Sequence, residues 1–169
     1  MAKKKRARGG TAALRALEAA GLEFRVHKYE HSIHMDQGYA VDSAQVLGFE
    51  LGEVFKTLMA YADGTPVVGL VPANAMLNLK SLAKVAGAKR AEMMKPEDAE
   101  RLTGYVTGGI SPLGQRTQYP TFIDASAKEL ERILVSGGKR SLSLELTPED
   151  LRVATGGQFA PIADYSRHF

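Results

Sequence analysis

The chain has 169 residues and a mass of 18.2 kDa, enough for one domain with a full hydrophobic core. At 44% hydrophobic and 24% charged residues its composition is globular, and the absence of cysteine excludes disulfides, thiolate metal sites and a thiol nucleophile, which fits a reducing, cytoplasmic setting. The formal charge is +3, yet Lys3, Lys4, Lys5, Arg6 and Arg8 all lie in the first eight residues, and without them the sum is −2. A basic tail over 1–10 therefore precedes a nearly neutral domain over 11–169. The tail reads either as an arm that adds phosphate contacts or as a solvated solubility segment. The longest uncharged run, Gly64 to Leu79, is too short and too broken by proline and asparagine to span a bilayer, and no apolar leader opens the chain.

In chain order, Thr11 caps a helix carrying Leu14, Leu17 and Glu18 in register, which Gly21 ends. Phe24 and Val26 alternate with polar neighbours and predict a strand to about Lys28, followed by a loop over Tyr29–Gly38. Asp42 or Ser43 is expected to cap a short helix over Ala44–Leu47, closed by Gly48. Val54 to Tyr61 is a strand, Asp63-Gly64 a hairpin turn, and Pro66 to Val71 the returning strand. Asn78–Ala86 fits a helix, Ala88–Glu92 a short strand, and Lys95-Pro96-Glu97-Asp98 a helix start. Leu102 to Gln115 carries no charge over 14 residues and predicts a long structured loop. Thr121–Asp124, Ile133–Ser136 and Leu142–Leu146 are strands, with Gly137-Gly138 as a turn, and Thr147-Pro148-Glu149-Asp150 opens the last helix. The sum is an α+β fold with a mostly antiparallel or mixed sheet; the alternation of a doubly wound nucleotide fold is absent.

Several chemistries fail on residue type. The phosphate loop fails at Gly137-Gly138-Lys139-Arg140, because Arg140 stands where a magnesium-holding hydroxyl is needed, and the dinucleotide fingerprint is missing. Gly109-Ile110-Ser111-Pro112-Leu113-Gly114 approaches a serine-hydrolase elbow, but Pro112 lacks the N–H that would complete the oxyanion hole. His27, His31 and His34 have helical metal spacing within a segment that does not read as a helix. Lys56 stands alone in the apolar run Val54-Phe55-Lys56-Thr57-Leu58-Met59. It is either a desolvated pocket amine or an ordinary residue on the wet face of a half-buried strand. The 107–112 loop is either a ligand-facing backbone or a plain connection, and Lys139 and Arg140 either hold a phosphate or decorate an exposed turn.

Val54-Phe55-Lys56-Thr57-Leu58, the run from Gly104 to Gln115, and Val135-Ser136-Gly137-Gly138-Lys139-Arg140 together resemble three successive signatures of the YbaK family. Its members are free-standing aminoacyl-tRNA deacylases related to the editing domain of bacterial prolyl-tRNA synthetase. The likeness runs from roughly Leu14 to Ala163. It implies a strongly curved, barrel-like mixed sheet with short helices packed around it, and neither metal nor cofactor. It also implies trans-editing hydrolysis of mischarged tRNA(Pro), most typically Cys-tRNA(Pro), with prolyl-tRNA synthetase as a possible partner. A synthetic pocket for proline excludes cysteine or alanine poorly, so a second site must remove them.

By the resemblance, Lys56 is the essential lysine. The Gly108-Gly109 backbone would face the ester, and Tyr29, Tyr39, Thr57, Ile110, Ser111, Ser136, Lys139 and Ser143 would bind substrate. Ser143 stands where the family commonly has aspartate, which bears on how the substrate amino group is held. In the cysteine-specific branch the substrate thiol is thought to attack its own carbonyl. The rival readings are a tRNA-end or synthetase-binding module without catalysis, and a serine esterase using Ser111.

Overall fold

The computed structural model describes residues 10–30 and 38–166. Helix α1 (Ala12–Ala20) starts where the Thr11 hydroxyl accepts the Leu14 N–H, and it stops at Gly21 in the left-handed region. It is followed by β1 (Arg25–Lys28), α2 (Tyr39–Leu47) and a 3₁₀ turn over Leu51–Glu53. The hairpin of β2 (Phe55–Ala62) and β3 (Thr65–Pro72) turns at Asp63 and Gly64, both with positive φ, as a tight two-residue turn requires. After β4 (Met76–Leu77) come α3 (Leu79–Val85), β5 (Ala91–Met93) and α4 (Pro96–Thr103). The rest is β6 (Thr121–Asp124), β7 (Ile133–Ser136), β8 (Leu142–Leu146), α5 (Pro148–Thr155), β9 (Gln158–Ala160) and β10 (Ala163–Asp164).

The strands form a five-stranded sheet in the order β5-β2-β3-β6-β9, a three-stranded sheet β1-β8-β7 and a two-stranded pair β10-β4. Pairing is antiparallel except β3 with β6 and β6 with β9, so the mixed, mostly antiparallel α+β expectation holds. The single barrel-like sheet does not. The strands divide among separate open sheets, and β5 and β9 remain edges of the largest. A parallel bridge between Val54 and Leu134 joins the five- and three-stranded sheets.

Strand β3 explains the longest apolar stretch. Val68 and Leu70 enter the main core with Leu17, Phe55, Ile133 and Leu144, while Val67 and Val71 enter a second core with Leu82, Phe122 and Ile162. Alternate residues point to opposite faces, and here both faces are covered. A third cluster, Val41, Ala44, Val54, Ala73 and Leu134, packs α2 against the seam between the two larger sheets. That contact explains a difference from the sequence reading. Helix α2 begins at Tyr39 after Gly38, and Asp42 and Ser43 are buried within it instead of capping it. Burial of Val41 and Ala44 at the seam outweighs the local cap preference.

Candidate active site

A cavity of about 320 Å³ opens at this seam, along residues 54–59 at the start of β2. Lys56 lines it and is half-buried; burial pushes its ammonium below the usual lysine value, because the charged form loses hydration. Of the two readings of Lys56, the pocket amine is the one the fold adopts. Thr57 also lines the cavity, and its buried Oγ1 has no hydrogen-bond partner among the described residues. A hydroxyl left so is costly unless a ligand or water completes it.

One wall is a hydroxyl cluster. Tyr29 Oη lies 2.5 Å from Ser43 Oγ and 3.3 Å from Ser143 Oγ. Ser43 donates to the Tyr39 carbonyl at 2.9 Å, so Tyr29 is the donor to Ser43. Ser143 faces Ser136 across the β7–β8 ladder, and both border the cavity. Met59, Met93 and Met94 add adaptable apolar surface.

A second wall is the 107–110 loop, of which Thr107, Gly108 and Ile110 border the cavity. It is held from two sides: the Thr107 N–H donates to Glu100 Oε2 at 2.8 Å, and Arg140 Nε donates to the Thr107 carbonyl at 2.9 Å. The Thr107 hydrogen bond, assisted by the Arg140 charge, holds the Glu100 carboxyl below its ordinary value. The Tyr39 ring lies against Gly108, with the Arg140 guanidinium 5.4 Å from the ring centroid. A Cβ on Gly108 would come within 2.7 Å of the Tyr39 ring, and its φ of +89° independently favours glycine. Among the described residues the Gly108 N–H makes no hydrogen bond.

The expected residues do not all meet. Lys56, Thr57, Tyr29, Tyr39, Gly108, Ile110, Ser136 and Ser143 border the cavity, whereas Gly109, Ser111 and Lys139 do not. The Gly109 N–H is spent on the Val106 carbonyl at 2.8 Å, and its Cα packs so tightly that a Cβ would lie 2.6 Å from Lys139 Cα. Gly109 is thus the seat of the 137–140 turn, not a donor into the cavity. Ser111 is fully buried, and its Oγ accepts the Leu113 N–H at 3.2 Å, which removes the serine-esterase reading. Lys139 is exposed. His27 pairs with Glu145 at 2.7 Å, and Arg132 holds the other Glu145 oxygen at 2.8 Å; His31 and His34 lie outside the described residues. Among the described residues no cluster of three or more His, Asp and Glu side chains could hold a metal. Sequence reasoning named no site role for Ser43, Met93 or Met94, which stand in no functional pattern, and it passed over Thr107 and Met59 although both lie in segments it had singled out.

Residues 36–154 match the family model described as the aminoacyl-tRNA editing domain. A relative from Enterococcus faecalis, described as a candidate Cys-tRNA(Pro)/Cys-tRNA(Cys) deacylase, is 42% identical over 160 residues, covering 94% of this chain and 96% of its own. A proline–tRNA ligase of Geobacter metallireducens is 31% identical over 120 residues, which are 70% of this chain and 20% of the ligase. A crystal structure described as a candidate trans-editing enzyme for prolyl-tRNA synthetase superposes with a TM-score of 0.79 at 25% identity, covering 90% of this chain and 95% of that one. The chain belongs to the aminoacyl-tRNA editing domain family.

Proposed function

We propose that this protein is a trans-editing deacylase that hydrolyses the ester between a wrong amino acid, cysteine first, and tRNA(Pro). The deacylase unit is residues 11–169, the basic tail lies outside it, and it works in the cytoplasm where tRNA is charged. The observation that carries the reading is the half-buried, desolvated Lys56 amine sharing one small cavity with the Gly108 backbone and an unsatisfied Thr57 hydroxyl. A cavity of about 320 Å³ is at the small end for ligand sites and suits one amino acid and a terminal ribose.

In this site Lys56 donates to the aminoacyl ester and orients it. The Gly108 N–H, left without a partner among the described residues, receives the oxygen that becomes negative as the carbonyl turns tetrahedral. The Tyr29–Ser43–Ser143 hydroxyls take the substrate amino group in place of the carboxylate that Ser143 lacks. For a cysteinyl ester the substrate sulfur attacks its own carbonyl carbon, the ester C–O bond breaks, and the thiol proton passes to the departing ribose oxygen. For an alanyl ester a water takes the sulfur's place.

The test presents tRNA(Pro) charged separately with cysteine, serine, alanine and proline to the wild type and to Lys56→Ala. The wild type should clear the cysteinyl ester fastest and spare the prolyl ester. Lys56→Ala should lose about 10²–10³-fold, the scale for removing one transition-state donor. A wild type no faster than buffer on every ester would refute the reading, and equal rates for cysteine and serine would remove the thiol from the mechanism.

A further inference from the structure

From Gly64 to Ala91 the chain has no acidic residue, and its four charges there are Lys80, Lys84, Lys89 and Arg90. The fold gathers all four. Lys80 and Lys84 are one turn apart on α3, Lys89 and Arg90 lead into β5, and together they border one shallow, exposed groove. Asp63, at the neighbouring hairpin turn, serves the backbone: its carboxylate accepts the Lys89 N–H at 2.9 Å and the Arg90 N–H at 3.1 Å, and the exposed Glu92 follows on β5 outside the groove lining. Among the described residues none of the four cations forms an ion pair. Four like charges held together without ion-pair partners cost free energy, although the domain beyond the tail carries a net charge of −2.

The groove leads to the candidate active site. β5 runs from Ala91 to Met93, and Met93, 45% exposed, stands on the rim of the cavity with Met94 behind it. At about 3.3 Å per residue, Arg90 and Met93 are separated by roughly 10 Å of strand. A strand of duplex DNA carries one phosphate per about 3.4 Å of its axis and A-form RNA is more compact, so at least about three phosphates span that stretch. Besides its cations and Ser81 the groove is lined by Leu79, Ala83, Ala88 and Ala91 and by no aromatic side chain, which suits a phosphate track better than a protein interface built on large aromatic anchors.

We propose that this groove binds the phosphate backbone of the acceptor stem of the tRNA whose 3′ end enters the cavity. The identity of that 3′ end rests on the deacylase reading; the affinity of the groove for phosphates does not. The experiment compares wild type, Lys80→Ala/Lys84→Ala, Lys89→Ala/Arg90→Ala and the remote control Lys128→Ala, with thermal melts to verify folding. All the sites are exposed, and alanine favours the helix at positions 80 and 84. Affinity for an uncharged tRNA(Pro) transcript is measured by fluorescence anisotropy across a salt series. Deacylation is measured on charged tRNA(Pro) and on a short aminoacylated CCA oligonucleotide.

Each double variant should bind tRNA about tenfold more weakly and lower the salt slope by about 2, roughly one per phosphate contact. KM for charged tRNA should rise in proportion, with kcat and the rate on the short oligonucleotide unchanged and Lys128→Ala like wild type. Unaltered affinity and slope would overturn the proposal. So would an equal loss on the short oligonucleotide, or loss of binding to prolyl-tRNA synthetase with tRNA affinity intact. If the wild type deacylates nothing while the double variants still lose tRNA affinity, the deacylase reading falls and the groove stands.

Discussion

Burying an ammonium works against folding, and Lys56 makes the sign testable. Its folded pKa lies below the unfolded value of 10.5, so between the two the unfolded chain holds more protons than the native one. The penalty is fully present below the folded pKa and fades as pH climbs from there toward the unfolded one. Lys56→Met should therefore slow deacylation as Lys56→Ala does, yet raise the melting temperature at pH 7, and the gap over wild type should shrink at pH 10. A variant that melts lower than wild type at pH 7 would mean that the amine is stabilised by its surroundings. Lys56 was legible because a lone cation in an apolar strand is conspicuous. Ser43 was not, since it sits inside a helix in a residue type that usually caps one, and its contact with Tyr29 exists only after folding. Gly108 and Gly109 looked equivalent in the sequence; hydrogen bonding separates them, one N–H being used within its own turn.

The long uncharged segment between α4 and β6 holds its shape through α1 and through a single tyrosine. The Tyr105 hydroxyl donates to the Leu113 carbonyl at 2.5 Å, and burial pushes its pKa up to about 12. Thr11, which caps α1, also donates to the Gly137 carbonyl at 2.5 Å, and Gly114 packs so closely that a Cβ would lie 2.5 Å from the Ala12 carbonyl oxygen. One helix start thus fastens both glycine loops beside the cavity. Tyr105→Phe leaves a buried carbonyl without its donor and should cost about 1–3 kcal/mol in urea denaturation. Deacylation should fall as well, because the 107–110 wall loosens. An unchanged midpoint would show that water replaces the hydroxyl. Most elements could be read from caps and turns, as with Thr147 accepting the Asp150 N–H before α5. β4, β9 and β10 could not, because two or three residues carry no periodicity and pair only through tertiary contacts.

Across the whole molecule, the one curved sheet that the family resemblance implied gives way to separate open sheets. Local alternation identified the strands and their mixed pairing but not how the chain shares them among sheets, and the division here covers both faces of β3. Hydrogen–deuterium exchange should accordingly be slowest at Val68 and Leu70, central in the largest sheet and buried in the main core. Faster exchange there than in β7 and β8 would contradict this order. The two larger sheets meet at the Val54–Leu134 bridge, a lone rung beside the cavity. Whatever lodges in that cleft acts as mortar between two masonry blocks. A non-hydrolysable aminoacyl-nucleoside should therefore slow the breathing of both blocks at once, although it touches only their shared joint.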